Sequence, residues 1–215
     1  CICVDTACER RLGRYQEVFN KSVNTVCIDH HISNTGFAEY NYVVPEASST
    51  SELVYNFLEN EKISDEVAKA LYLGIVHDTG VFQYSCAAPS TFRAAADLLE
   101  KKFDAPKMIQ ETYYQKSFAQ NKILGYALMN AELLIDGLCI ASFLRKEDMD
   151  KFGVTSKDLD GIVAQLRNTS GVEVAVFMYE LETGVYKVSL RASNYADVSR
   201  IAQMFGGGGH VKAAG

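Results

Sequence analysis

The chain has 215 residues, enough for one or two domains that bury a core without special staples, and its 48% hydrophobic and 22% charged residues are the proportions of an ordered globular protein. A formal net charge of -6 excludes a protein that lives on long nucleic acid, where affinity comes from clustered Lys and Arg, but admits a short anionic substrate met by a few cations or metal ions. No signal peptide, transmembrane-length apolar run or low-complexity tract is visible, which predicts a cytoplasmic protein with no membrane partner.

Residues 1–4 are an apolar run that ends in Asp5, and Thr25 to Ile28 are another that ends in Asp29-His30-His31; both read as buried parallel strands. Leu12, Tyr15 and Val18 between them have the spacing of a crossover helix. Ser49 to Glu52 has the form of a capping box, and a helix starting near Thr50 would face Leu53, Val54, Phe57 and Leu58 inward. A second helix opens at Ser64, carries Val67, Ala68, Leu71 and Ile75 on its core face, and places Asp78 at its end, before Thr79-Gly80. His77 reads as a helix-end residue. A third begins at Ser90 with Phe92, Ala95, Ala96 and Leu99, and stops before Pro106.

Residues 107–134 read as a long helical connector, after which the hydrophobic period changes. Leu138 to Leu144, Val172 to Tyr179 and Val185 to Arg191 are expected strands, with Glu182-Thr183-Gly184 turning between the last two. Leu159, Ile162, Val163 and Leu166 predict a helix between the first two. The expected fold class is therefore α/β: a parallel-sheet domain over 1–106, the connector, and a smaller α/β domain with a mixed sheet over 135–215. The six cysteines show no paired spacing and read as free, mostly buried thiols, with Cys1, Cys3 and Cys8 a weak zinc candidate.

Asp5 and Asp29 end neighbouring parallel strands, so both stand at the carboxyl edge of one sheet, where open α/β sheets place their ligands. Carboxylates crowded at such an edge must pair with cations or hold metal, and too few Lys or Arg residues adjoin them for ion pairing alone. His30 and His31 add imidazoles, and Asp78 adds a further carboxylate. Asp and His donors without thiolates favour Mn²⁺, with Mg²⁺ or Co²⁺ as substitutes, and a pair of such ions suits hydrolysis of a phosphate ester. In the second domain Arg191-Ala192-Ser193-Asn194 follows a strand, and the Arg191 guanidinium suits a terminal phosphate. Gly207, Gly208 and Gly209 would let backbone amides approach a phosphate or sugar, with His210 as an added donor.

Val4-Asp5-Thr6, Ile28-Asp29-His30-His31-Ile32-Ser33-Asn34 and His77-Asp78-Thr79-Gly80 resemble successive motifs of the DHH phosphoesterase superfamily. Phe205-Gly206-Gly207-Gly208-Gly209-His210, followed by Ala213-Ala214-Gly215, resembles the signature of the DHH-associated C-terminal domain. Within the superfamily, the residues after the DHH and the Pro45-Glu46-Ala47-Ser48-Ser49-Thr50-Ser51-Glu52 stretch are most similar to the nanoRNase/pAp phosphatase family.

The resemblance implies a Mn²⁺-dependent enzyme that degrades very short oligonucleotides and linear dinucleotides and dephosphorylates 3'-phosphoadenosine 5'-phosphate (pAp). It implies Asp5 as a bridge between two ions, His30 and Asp78 as further metal ligands, and His31 as the residue that contacts the scissile phosphate or protonates the leaving oxygen. Asp29 would orient His30 from behind. Arg191, Ser193, Asn194, Gly207, Gly208, Gly209 and His210 would bind substrate, and a substrate gripped at both ends is measured for length. A cyclic-di-AMP phosphodiesterase module is the alternative, with a non-catalytic nucleotide-binding regulator as a second; the negative charge counts against a processive exonuclease of the RecJ type. Family members carry an earlier His- and Asp-bearing motif that has no counterpart here. The chain is accordingly expected to be a fragment that binds Mn²⁺ poorly alone and exposes a sheet edge open to homodimerisation or aggregation.

Overall fold

The opening apolar run forms strand β1 (Ile2–Val4), and the run ending at the DHH tripeptide forms β2 (Val26–Asp29), its in-register parallel neighbour. The computed structural model describes residues 1–215 and divides into two units, Cys1–Gln115 and Lys116–Gly215. In the first, the expected crossover helix is replaced by a 3₁₀ segment, Glu9–Tyr15, itself interrupted at the non-helical Gly13, and the short α1 (Gln16–Asn20). A strand missed in the sequence, β3 (Tyr40–Val43), lies parallel to β2 on its other side, giving the order β1-β2-β3. Its Tyr-Asn-Tyr-Val run is β-rich, and its brevity hid it.

Helices α2 (Thr50–Tyr55), α3 (Asp65–Asp78), α4 (Pro89–Leu99) and α5 (Ala105–Ile109) follow, and α5 passes into one turn of π-helix, Gln110–Tyr114. Ile75, Val76 and Leu98 are fully buried among them; side chains of this kind each contribute about 1.5–3 kcal/mol on burial. The inward face of α4 is one residue out of step with the expected one: Thr91, Ala94, Ala95 and Leu98 are buried, whereas Phe92 and Leu99 are exposed. Pro89 opens the helix earlier than expected, and Thr91 turns inward because a buried acid, Glu52, needs its hydroxyl. Likewise Phe57 and Leu58, just past the end of α2, and Val67 on α3 lie outside, while Leu53 of α2 and Ala68, Leu71 and Ile75 of α3 are buried.

The expected connector is not one element. Its first part belongs to α5 and the π-turn, and its second is α6 (Phe118–Met129) and β4 (Glu132–Leu134) of the second unit. Ile123 and Ala127 of α6 are fully buried in that unit's core, which is why the division falls at Gln115. Then come β5 (Cys139–Leu144), α7 (Lys146–Phe152), α8 (Ile162–Arg167), β6 (Val174–Glu182), β7 (Val185–Ala192), α9 (Val198–Met204), β8 (Gly209–His210) and β9 (Ala213–Ala214). The sheet order is β4-β5-β6-β7-β9-β8, mixed as expected, with β5 and β6 parallel and the other pairs antiparallel. No helix is long and apolar enough to cross a membrane. All six cysteines are free, although only Cys3, Cys27 and Cys139 are buried, and no thiol joins the one cluster of metal-type donors.

Candidate active site

Asp5 follows β1 with a left-handed backbone, φ 56°. That conformation costs an L residue roughly 1–2 kcal/mol, and Asp tolerates it better than most. The turn swings the Asp5 carboxylate across to the end of β2, where its Oδ1 accepts a hydrogen bond from the Thr50 hydroxyl at 3.2 Å. Thr50 is the first residue of α2, so the N-terminus of that helix and the strained strand end define the position together.

His30 Nε2 lies 3.6 Å from Asp5 Oδ1 and 3.8 Å from Asp78 Oδ2. Its other nitrogen, Nδ1, lies 3.3 Å from the Ala47 carbonyl oxygen. A carbonyl can only accept, so Nδ1 carries the proton and Nε2 turns a lone pair toward two carboxylates. Three electron-pair donors converging in this way suit a bound metal cation. Burial pushes the Asp78 carboxyl above its ordinary pKa, and the Asp5 charge adds to this against the pull of His30. Two carboxylates and an imidazole are a donor set suited to Mn²⁺ or Mg²⁺, and the residues present fit such an ion. Asp5, His30 and His31 form the tightest group, with ligand atoms within 4.8 Å of one another; Asp78 joins through its approach to His30.

Asp29 is fully buried and corrects one expectation. Its Oδ1 accepts from the backbone N–H of His30 at 2.9 Å and from Nδ1 of His31 at 2.7 Å, so the ring it orients is that of His31. Both imidazoles nevertheless approach Asp5: His31 Nδ1 lies 3.7 Å from the same Asp5 Oδ1 that His30 Nε2 nears. Burial works against the Asp29 charge, but hydrogen bonds from Asn34 and His31 outweigh it and hold the carboxyl below its ordinary value. Asn34 donates to Asp29 Oδ2 at 2.6 Å. Sequence reasoning gave Asn34 and Thr50 no role, although both stand in the runs that carried the family resemblance.

Behind these residues, Glu52 replaces the expected capping box with a wider arrangement. Ser49 Oγ does accept from the Glu52 N–H at 3.0 Å, but the Glu52 carboxylate accepts from Ser48 Oγ at 2.5 Å and Thr91 Oγ1 at 2.8 Å, tying α2 to the start of α4. After Asp78, Gly80, Val81 and Phe82 run consecutively left-handed, and the Tyr84 ring folds back over Gly80 so closely that an added Cβ would lie 2.5 Å from it. His77 turns away, 3.1 Å from the Thr112 hydroxyl on the π-turn.

In the second unit, Ser193 and Asn194 help to build the loop after β7. The Ser193 hydroxyl donates to the Val172 carbonyl, and Asn194 donates from both backbone and side chain to Glu173. The buried Glu173 carboxylate also accepts from the N–H groups of Tyr195 and Ala196, each at 2.7 Å, and so fills the anion-binding curl of backbone that the loop forms. Arg191 is half-buried, with a guanidinium nitrogen donating to the Leu190 carbonyl. The glycine run is a tight hairpin: a Cβ on Gly207 would meet the Gly215 carbonyl at 2.8 Å and one on Gly209 the Ala213 carbonyl at 2.5 Å. Gly208 faces open space and pairs with Gly215 through reciprocal backbone hydrogen bonds, and His210 is exposed.

Residues 1–75 match the model of the DHH family, N-terminal domain, and residues 136–215 match the DHHA1 domain. The chain is 29% identical over its whole length to the bifunctional oligoribonuclease and PAP phosphatase NrnA of Bacillus subtilis and 32% identical to a probable bifunctional oligoribonuclease and PAP phosphatase NrnA of Streptococcus mutans, covering 68% of each. A crystal structure of an exopolyphosphatase-related protein from Bacteroides fragilis superposes with a TM-score of 0.93 at 29% identity, over 99% of this chain and 64% of that one. The chain thus spans about two thirds of the length of these relatives.

Proposed function

The chain belongs to the DHH family, with a DHHA1 domain after its DHH domain, and on that premise we propose that it serves a metal-dependent phosphoesterase that cuts short oligoribonucleotides and linear dinucleotides to mononucleotides and removes the 3'-phosphate of pAp. The observation that carries this reading is the convergence of the Asp5 and Asp78 carboxylates on His30 Nε2, at 3.6 and 3.8 Å, which asks for a cation where the sheet edge would meet a ligand. The names of the Bacillus and Streptococcus relatives support the substrate class.

In this reading Asp5, His30 and Asp78 hold Mn²⁺, with Mg²⁺ or Co²⁺ as substitutes. The chemistry such an ion supplies when bound is Lewis acidity toward phosphoryl oxygen and activation of water near neutral pH. His31, its Nδ1 held 2.7 Å from Asp29 Oδ1, would contact the scissile phosphate or protonate the leaving oxygen. Arg191 and the hairpin ending in His210 are the proposed contacts of the second unit with substrate phosphates.

The test is Mn²⁺-dependent turnover by the intact natural protein on di- to pentanucleotides, pAp and cyclic-di-AMP. The expected order has dinucleotides and pAp ahead of cyclic-di-AMP, and loss of turnover in His30→Ala. Fastest cleavage of cyclic-di-AMP would replace this reading with the cyclic-dinucleotide one, and tight binding without hydrolysis would make the protein a regulator.

A further inference from the structure

We propose that Asn34 is a positioning residue that clamps the buried Asp29 carboxylate and through it sets the His31 ring, a role that rests on the function proposed above. The Asn34 side chain is fixed at both ends. Its Nδ2 lies 2.6 Å from Asp29 Oδ2 and 3.1 Å from the Thr6 carbonyl, while its Oδ1 accepts from the Gly36 N–H at 2.8 Å. Flipping the amide would set Oδ1 against two acceptors and take the acceptor from Gly36, so one orientation is enforced. The Asn34 backbone N–H donates to the His31 carbonyl at 3.0 Å, so the turn that carries the amide is closed on the histidine it serves.

Asp29 has no exposed surface, and none of its partners is a Lys or Arg; the charge is held by the backbone of His30 and His31, by His31 Nδ1 and by the Asn34 amide, which is the donor to Oδ2. A buried carboxylate oxygen without its donor is costly, so losing the Asn34 amide would drive Asp29 to rotate or to recruit another donor. Either change releases the 2.7 Å contact that holds His31. A merely structural Asn34 would only staple the turn to the residue after Asp5, through Thr6 and Gly36. The two roles differ in what happens to His31.

The experiment compares Asn34→Ala, Asp29→Asn and the double variant in the intact natural protein, with a dinucleotide and Mn²⁺. Asn34→Ala is expected to lower kcat roughly 10–100-fold, the range for residues that orient metal-site side chains, while KM changes less than about twofold. The double variant should be no slower than Asp29→Asn within about twofold, since contacts acting in series are not additive. An unchanged kcat, or fully additive losses, would overturn the proposal. Should Asn34→Ala fail to fold, Asn34→Leu, close in size but without any donor, takes its place with the same expectations. A second readout needs no turnover: in ¹⁵N-histidine-labelled protein the His31 Nδ1–H resonance is expected in the wild type and lost in the variant, and its persistence unchanged would sink the clamp. A wild type that hydrolyses nothing would instead defeat the proposed function, leaving the resonance to decide the role of Asn34.

Discussion

Asp5 shows how one residue is held by effects that no single stretch of sequence contains. Its left-handed backbone is offset by contacts from β2 and α2: the Asp5 N–H donates to the Ile28 carbonyl at 3.0 Å and the Thr50 hydroxyl donates to the carboxylate. Thr50→Val keeps the shape and removes the hydroxyl's hydrogen bond, and is expected to weaken Mn²⁺ binding by the intact natural protein about 10-fold or more in calorimetric titration; unchanged affinity would show that Asp5 needs no such support. Glu173 carries a prediction of the pH dependence. Burial opposes its charge, but the N–H groups of Ala196, Tyr195 and Asn194 prevail and hold its carboxyl below the ordinary 4.5. Because the folded-state value is depressed, Glu173 contributes stability that is present above the unfolded value and is lost as pH falls through the folded one. Glu173→Gln should therefore lower Tm at pH 7 and flatten its fall on acidification. Equal acid slopes for the two proteins would contradict this.

Among the elements, α2 and the turn after α3 decide the shape of the candidate site. The buried Glu52 carboxylate ties α2 to α4, and burial acts against its charge while Ser48, Ser90 and Thr91 hold its pKa below the ordinary range. Glu52→Ala would strand those hydroxyls and is expected to cost about 2–4 kcal/mol in denaturant unfolding, from hydrogen bonds to a charged group at about 1.5–3 kcal/mol each less what relaxation recovers. Gly80→Ala meets both a φ of 57° and the Tyr84 ring. It should cost at least about 1 kcal/mol and, by displacing Asp78, weaken Mn²⁺ binding, whereas Tyr84→Ala in the same background should restore part of the stability. The Ser49 cap, the Ser64 start and the Asp78 end were legible because capping and hydrophobic period are local signals. The inward face of α4 was not, since Thr91 is drawn in by a partner 39 residues away.

For the molecule as a whole, the first sheet carries its own warning. In-register neighbours place Ile2, Val26 and Tyr40 in one row and Val4, Ile28 and Tyr42 in the next, and Ile2 is 69% and Tyr40 59% exposed. Parallel sheets bury both faces, so an apolar face left open invites association. The 215-residue chain should bind a hydrophobic dye and self-associate in light scattering, and the pair Ile2→Lys and Tyr40→Lys should suppress both; a monodisperse, dye-silent wild type would refute this. The sequence by itself pointed to the family, to the α/β class and to Asp5, His30, His31 and Asp78 as candidate site residues, because each closes a local pattern of strand, helix or motif. Only the tertiary structure decided that Asp29 serves His31 and not His30, that Asn34 and Thr50 support the acids, that Glu173 occupies the loop built by Ser193 and Asn194, and that α6 belongs to the second unit. Those outcomes depend on which hydrogen-bond donors and apolar faces meet across many residues of chain, and no local pattern encodes the meeting.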